Sequence, residues 1–252
     1  MEDEEVVFRV LLFKLFNTDV AWEILNKALR VIPSWQTFDE QRYGDILGKA
    51  KETGAKIWNP AYVQNQCYRT DLDTKHERYI ALLKHMMEDG VTQKLKAARS
   101  YEEAYWVLRT YPIHGEFIAM QHLTDLNYSP VINFDEDDFI VAGPGCLDGM
   151  QKCFGVRPDQ HLAAQIIHWC VDNQVTCFQQ IGLTPVTLFG RRLTAIDCQN
   201  LFCETDKYAR VAHPQRNLKR TEIKQKFRSN GSLTPAFLPP KWGLQVSCLK
   251  IA

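Results

Sequence analysis

The chain has 252 residues, 45% of them hydrophobic, enough to bury a substantial core in one domain or two. Lys and Arg number 30, as do Asp and Glu, so the net charge identifies no partner. The apolar run over residues 6–16 is broken by Arg9 and Lys14 and is too short to span a bilayer. With no signal peptide ahead of it, this excludes a membrane partner and points to a soluble, cytoplasmic protein.

Taken in order, residues 6–16 predict a helix with Val6, Val10 and Phe13 inward, joined by Val7 and Leu11. Arg9, Lys14 and Asn17 then project from a mostly buried element, as snorkelling edge residues or as ligand contacts. Further helices are expected over 19–31 and 37–51, the second stopped near Gly54, and a short element over 61–68. Residues 73–88 form a helix capped by Asp73 or Thr74, with Tyr79, Leu82, Leu83 and Met86 as its stripe. Helices over 91–98 and 101–110 follow, the latter led by Ser100 with Glu103 three residues on, a capping-box spacing. Pro112 ends it, and Gly115 precedes a helix over 117–126. Nothing alternates like a strand, so the fold class is mainly α.

Gly143-Pro144-Gly145 cannot occupy a helix interior and predicts a tight turn. Glycines on both flanks permit close backbone approach, and a helix starting there aims N–H groups outward, as in helix–hairpin–helix phosphate grips. A helix over 160–174 carries Leu162, Ile166, Trp169 and Cys170 as its apolar residues. On the next, over 193–210, Cys198, Leu201, Phe202, Thr205 and Ala209 fall on one face. Asp197, Asn200, Glu204 and Lys207 fall on the other. That polar face is either a solvated surface or a set able to take a proton, donate to an anion and orient a ligand.

From about residue 211 the chain is loop-rich and basic. Between Lys207 and the end, Glu222 alone opposes ten Lys and Arg residues, among them Lys224, Lys226 and Lys241. This is a local anion-binding surface or a solvated tail. Trp242, in the rigid Pro239-Pro-Lys-Trp-Gly243 stretch, either stacks on a base or folds back on the core. The eight cysteines include no Cys-x-x-Cys pair, so no metal site is legible, and no cofactor is expected.

Six separated motifs occur in order: Gly115-Glu-Phe-Ile-Ala-Met-Gln121, Asp125-Leu-Asn-Tyr-Ser129, Ala142-Gly-Pro-Gly145, Asp197-Cys-Gln-Asn-Leu-Phe-Cys-Glu204, Lys207-Tyr-Ala-Arg210 and Pro239-Pro-Lys-Trp-Gly243. Together, over roughly residues 6–243, they resemble the helical domain of bacteriophage 5-hydroxymethyluracil DNA kinases. That domain also occurs in DNA base hypermodification enzymes of the amino acid:DNA transferase and α-glutamyl/putrescinyl thymine pyrophosphorylase type. The resemblance implies one helix–hairpin–helix, DNA glycosylase-like domain over residues 1–252. It implies a DNA carrying modified thymine bases as substrate, a small amine or amino-acid donor, and a 5-hydroxymethyluracil DNA kinase as functional partner. The implied reaction replaces the phosphate or pyrophosphate on the 5-hydroxymethyl group with the amine. No Gly-x-x-x-x-Gly-Lys-Ser/Thr occurs in the sequence, so phosphorylation itself is not expected of it.

Under that reading Lys207, Arg210, Lys224 and Lys226 meet the leaving group or the DNA, and Glu204 or Asp197 takes the amine proton. Asn200, Gln121 and Asn17 read the pyrimidine, with Asp125 beside them in the substrate site. Gly143 and Gly145 grip the DNA together with Lys241 and Trp242. Two alternatives stay open: a glycosylase with Asp197 as its carboxylate, and a non-catalytic DNA-binding module.

Overall fold

The computed structural model describes residues 2–60, 62, 68–185, 187–223 and 238–244. Lys224, Lys226 and most of the element expected at 61–68 lie outside the described residues. Among those described, ten α-helices and two short 3-10 turns are present and no strand, only an isolated bridge between Leu188 and Arg191. The mainly α expectation therefore holds. No helix among the described residues is long and apolar enough to cross a membrane. Backbone contacts divide the chain into two compact units, Met1–Asn133 and Phe134–Ala252.

Unit 1 holds α1 (Asp3–Phe16), α2 (Asp19–Leu29), α3 (Glu40–Glu52), α4 (Lys75–Glu88), α5 (Val91–Ala97), α6 (Tyr101–Arg109) and α7 (Glu116–Asn127). Helix α1 is its hub, packed against α2, α4, α5 and α7. This explains a departure from the expected face. Val6, Val7, Phe8, Leu11, Leu12, Leu15 and Phe16 are buried, whereas Val10 and Phe13 are only half-buried. A helix surrounded by neighbours has no single apolar stripe for periodicity to reveal. Each large side chain buried here contributes about 1.5–3 kcal/mol.

The helix ends follow their sequence signals. Thr74 caps α4 in a full capping box with Glu77. The Ser100 hydroxyl accepts from the Glu103 amide at 3.0 Å, but the Glu103 carboxylate turns to the Arg99 amide instead of closing the box. Asn17 ends α1 in the left-handed region at φ 51°, which a short amide side chain tolerates. Glu5, buried, accepts from the Ser34 hydroxyl and the Trp35 and Gln36 amides at 2.9–3.1 Å, tying the chain after α2 back to α1.

Unit 2 holds α8 (Pro144–Phe154), α9 (Gln160–Gln180) and α10 (Ala195–Ala212), with 3-10 turns at Pro214–Arg216 and Pro240–Trp242. Pro144 at the first helical position and Gly155 at φ 79° bound α8. Helices α8 and α10 are in extensive contact because α8 presents glycine to its partner. A Cβ at Gly149 would stand 2.0 Å from the Phe202 carbonyl oxygen, and one at Gly145 would stand 2.4 Å from Cys203 Sγ.

Two apolar faces are rotated from their expected positions. On α9 the buried residues are Ala163, Ile167, Val171 and Gln174, while Leu162 and Trp169 are exposed. On α10 the inward residues include Gln199, Asp206 and Arg210, while Leu201 and Thr205 face solvent. Hydrogen bonds and ion pairs make polar residues acceptable inside, and hydrophobicity alone cannot anticipate that.

Gly149→Ala should destabilise unit 2 by about 2 kcal/mol or more, because the clash is with backbone and not with a side chain that can turn away. Chemical denaturation of the variant against the wild type measures it, and an unchanged midpoint would show that α8 and α10 can separate at little cost.

Candidate functional site

In unit 1, α1 and α7 bring together part of the expected substrate set. Lys14 leaves α1 in its last turn, and its ammonium lies 3.1 Å from the Asp125 carboxylate on α7. The Lys14 side chain is 7% exposed and that of Asp125 37%, so the cation lies inside and the carboxylate at the surface. Gln121 is one turn before Asp125 on the same face of α7, and Asn17 caps α1 three residues after Lys14. Tyr62 completes the group: Lys14 Nζ is 5.2 Å from the centre of its ring.

The Tyr62 hydroxyl is shielded from solvent and has no hydrogen-bond partner among the described residues. Burial, reinforced by the Asp125 charge, pushes its pKa well up, so it stays a neutral donor. Behind it the His122 ring runs nearly parallel at 6.3 Å. His122 Nδ1 in turn meets His114 Nε2 at 3.0 Å. Burial pushes His114 down to about 4 and His122 well below the usual imidazole value, so both are neutral at pH 7.

In unit 2 the expected residues separate. Asp197 is the third residue of α10 and closes a capping box with Thr194; its Oδ2 accepts from the Thr194 amide and hydroxyl, both at 3.0 Å. Arg191 also reaches it at 3.3 Å. Glu204 and Lys207 form an exposed ion pair at 2.5 Å, and Asn200, also exposed, accepts from Gln199 Nε2 at 2.7 Å. Arg210 turns inward, paired with Asp206 and donating to the Glu222 carbonyl.

The Gly-Pro-Gly turn becomes the start of α8. The Gly143 amide donates to Gln199 Oε1 at 3.0 Å, and the missing Cβ of Gly145 makes room for Cys203. Trp242 folds back: its indole N–H donates to Glu136 at 2.7 Å, and the Arg191 guanidinium lies 3.8 Å over its ring. Lys241 beside it is exposed, with partial burial drawing its pKa down.

Several charged groups went unnoticed in the sequence. Asp206, almost wholly buried, accepts from Lys152 at 2.9 Å, from Arg210, and from Arg220 at 3.5 Å. Although burial works against ionisation, Arg210 and Lys152 outweigh it and hold the carboxyl below its usual range. Asp148 is paired with Arg157 and, at 2.6 Å, with Arg220. Around it a cavity of about 530 Å³ is lined by Pro144, Asp148, Gln151, Arg157, Leu218, Lys219 and Arg220. Glu136 and Asp137 gather Arg191, Arg192, Thr194 and Trp242 near the start of α10. The signal for the last cluster was the acidic run 135–138 beside the Arg191-Arg192 pair in an otherwise balanced chain.

A family model described as "5-hmdU DNA kinase, helical domain" matches residues 1–218. No curated protein and no solved structure matches the chain.

The histidine pair carries a pH signature. Both imidazoles are neutral when folded and take up protons near pH 6.5 when unfolded, so the unfolded state binds more protons below that value. Their stabilising contribution is complete above pH 6.5 and is lost as pH falls toward about 4. Denaturation midpoints followed by a probe in unit 1 should fall steadily between pH 6.5 and 5. A flat profile would mean that the pair is protonated in place.

Proposed function

The chain belongs to the helical-domain family of 5-hmdU DNA kinases, and from that premise we propose that it is a DNA thymine-base hypermodification enzyme of the transferase type. The family ties the chain to modification of thymine-derived bases in DNA. The finer reading is that an amine replaces phosphate or pyrophosphate on a 5-(phosphoryloxymethyl)uracil that a 5-hydroxymethyluracil DNA kinase has prepared. No P-loop occurs in residues 1–252, so the step assigned to them is the one after phosphorylation.

The observation that carries this reading is the α1–α7 pair, a buried ammonium beside a solvent-facing carboxylate. In the proposed step the amine nitrogen attacks the exocyclic methylene carbon and forms a C–N bond. The C–O bond breaks, and phosphate or pyrophosphate leaves with its oxygen and the electron pair. The amine arrives as an ammonium and must first give a proton to a carboxylate. Asp125 and Glu204 are the two assigned carboxylates with accessible oxygens; those of Asp197 are committed to the α10 cap and Arg191. The same commitment weighs against Asp197 as a glycosylase carboxylate. Lys207 and the cavity cations Arg157, Lys219 and Arg220 suit phosphate oxygens, on the leaving group or on the DNA backbone.

The test is nucleoside mass spectrometry of 5-hydroxymethyluracil DNA after incubation with a 5-hydroxymethyluracil DNA kinase, the full chain and a pool of amino acids and polyamines. The expected product is a nucleoside carrying one amine in place of the hydroxymethyl oxygen. Whichever of Asp125→Asn and Glu204→Ala removes the proton acceptor should lower its yield by about 100-fold or more, and the other should leave most of it. Abasic sites instead of the new nucleoside would establish the glycosylase, and bound but unaltered DNA the binding module.

A further inference from the structure

We propose that Trp242 is a latch that stands in for a nucleobase: its indole closes a slot made by Arg191 and Glu136, and a base taken from the DNA strand displaces it. The step rests on the chain acting on bases in DNA and adds an autoinhibited site in unit 2 to that reading. Indole and nucleobase share what this slot recognises. Both are flat rings, and indole, thymine and guanine each carry a ring N–H. The Arg191 guanidinium lies 3.8 Å over the Trp242 ring, and the indole N–H donates to Glu136 Oε1 at 2.7 Å. A guanidinium plane against the ring and an acceptor for its N–H are contacts that also hold a base removed from its stack.

The slot does not depend on the indole. Arg191 is held by Asp197 at 3.3 Å and by Glu136 at 3.5 Å, and Glu136 also accepts from the Thr194 hydroxyl at 3.5 Å. Those contacts remain when the ring leaves. The turn that carries the ring is self-contained as well. The Trp242 amide donates to the Pro239 carbonyl at 3.0 Å and the Gly243 amide to that of Pro240 at 3.1 Å. It can swing away as a unit with both bonds intact.

The indole also fits incompletely. Its residue is only half-buried, where a tryptophan that closes a core is largely shielded. Arg191 Nε is shut off from solvent and has no acceptor among the described residues. Indole has no acceptor to offer, whereas thymine and guanine bring carbonyl oxygens to a donor that is costly to leave open. Closure also sets Lys241 near Arg191. Partial burial and that like charge draw the ammonium's pKa down, against the pull of Glu136 and Asp135. A latch lowers apparent affinity by the fraction of time it is open, so removing the ring should strengthen base binding. A tryptophan that itself contacts DNA would show the reverse.

Fluorescence-anisotropy titration of the full chain tests the proposal, with a labelled short oligothymidylate and an abasic strand of the same length as probes. Trp242→Ala should raise affinity for the oligothymidylate about tenfold and leave that for the abasic strand unchanged. Trp242→Phe, which keeps a ring on Arg191 and loses the N–H, should give a smaller gain. N3-methylthymine in the strand has no ring N–H and should remove most of the gain, as should Glu136→Gln added to Trp242→Ala. Weaker oligothymidylate binding by Trp242→Ala would make the tryptophan a DNA contact, and an equal gain on both strands would mean a general release of the surface. Either outcome overturns the latch. So does a lowered thermal midpoint with unchanged binding, the mark of a structural strap. The expected gain with no base altered in the mass spectrometry keeps the latch and removes the transferase. An amine on the base with no gain in Trp242→Ala does the opposite.

Discussion

An ionised side chain removed from water costs several kcal/mol unless a counter-charge and hydrogen bonds replace the solvent. Each unit accepts that cost at its centre and arranges neighbouring elements to meet it. In unit 1, Glu5 is surrounded by two backbone amides, a hydroxyl and Arg9, which fixes the chain leaving α2 against α1. Two turns further along α1, Lys14 needs Asp125, which fixes the approach of α7. In unit 2, Asp206 needs Lys152 from α8, Arg210 from its own helix and Arg220 from the chain beyond α10. Losing one partner of such a set leaves a bare buried charge, worth roughly 3–5 kcal/mol, so these contacts constrain which neighbours can pack where.

The same constraint explains what the sequence conceals. Helix positions were legible because caps are local. Thr74 with Glu77, Ser100 before Glu103, Gly143-Pro144 and Thr194 each mark a start within four residues of the helix they serve. Helix faces were legible only where apolar residues alone decide burial. On α10 a projection by hydrophobicity puts Leu201 inside, and the family resemblance makes Arg210 available for ligand. Asp206 and Gln199 reverse both, because their partners Lys152 and Gly143 lie more than fifty residues away along the chain. Of the candidate site, Gln121 and Asp125 were legible as motif residues, and Asn17 as a residue projecting from the first helix. Their link to Lys14 required knowing that α1 packs on α7, a contact spanning more than a hundred residues.

The Gly-Pro-Gly segment shows how one sequence signal serves two physical ends. Its glycines predict close approach of backbone to something, and close approach is what occurs: Gly145 accommodates Cys203, and Gly149, one turn on, accommodates the Phe202 carbonyl. The partner is a helix. Such packing does not compete with anion binding near the start of α8, because the Gly145 and Gly149 contacts and the cavity residues Arg157 and Arg220 draw on different groups. Glycine at these positions is already required by the fold, so it is weak support for a phosphate grip taken alone. The cations around Asp148 are the firmer support, since nothing in helix packing requires that they border a cavity.

Compared as charge layers, the two units are inverted. In unit 1 the cation is inside and the carboxylate outside: Lys14 is 7% exposed and Asp125 37%. Around Asp148 the carboxylate is inside at 12%, while Arg157 and Arg220 face outward at 43% and 41%. The outer charge is what a ligand meets, and the inner one fixes its position and offsets the desolvation of the pair. A carboxylate presented this way favours an ammonium, and a guanidinium pair favours the oxygens of a phosphate. The same device, a charge held inside by its opposite, thus gives each unit a surface of its own sign: a carboxylate outward on α7, and guanidinium groups outward beside α8.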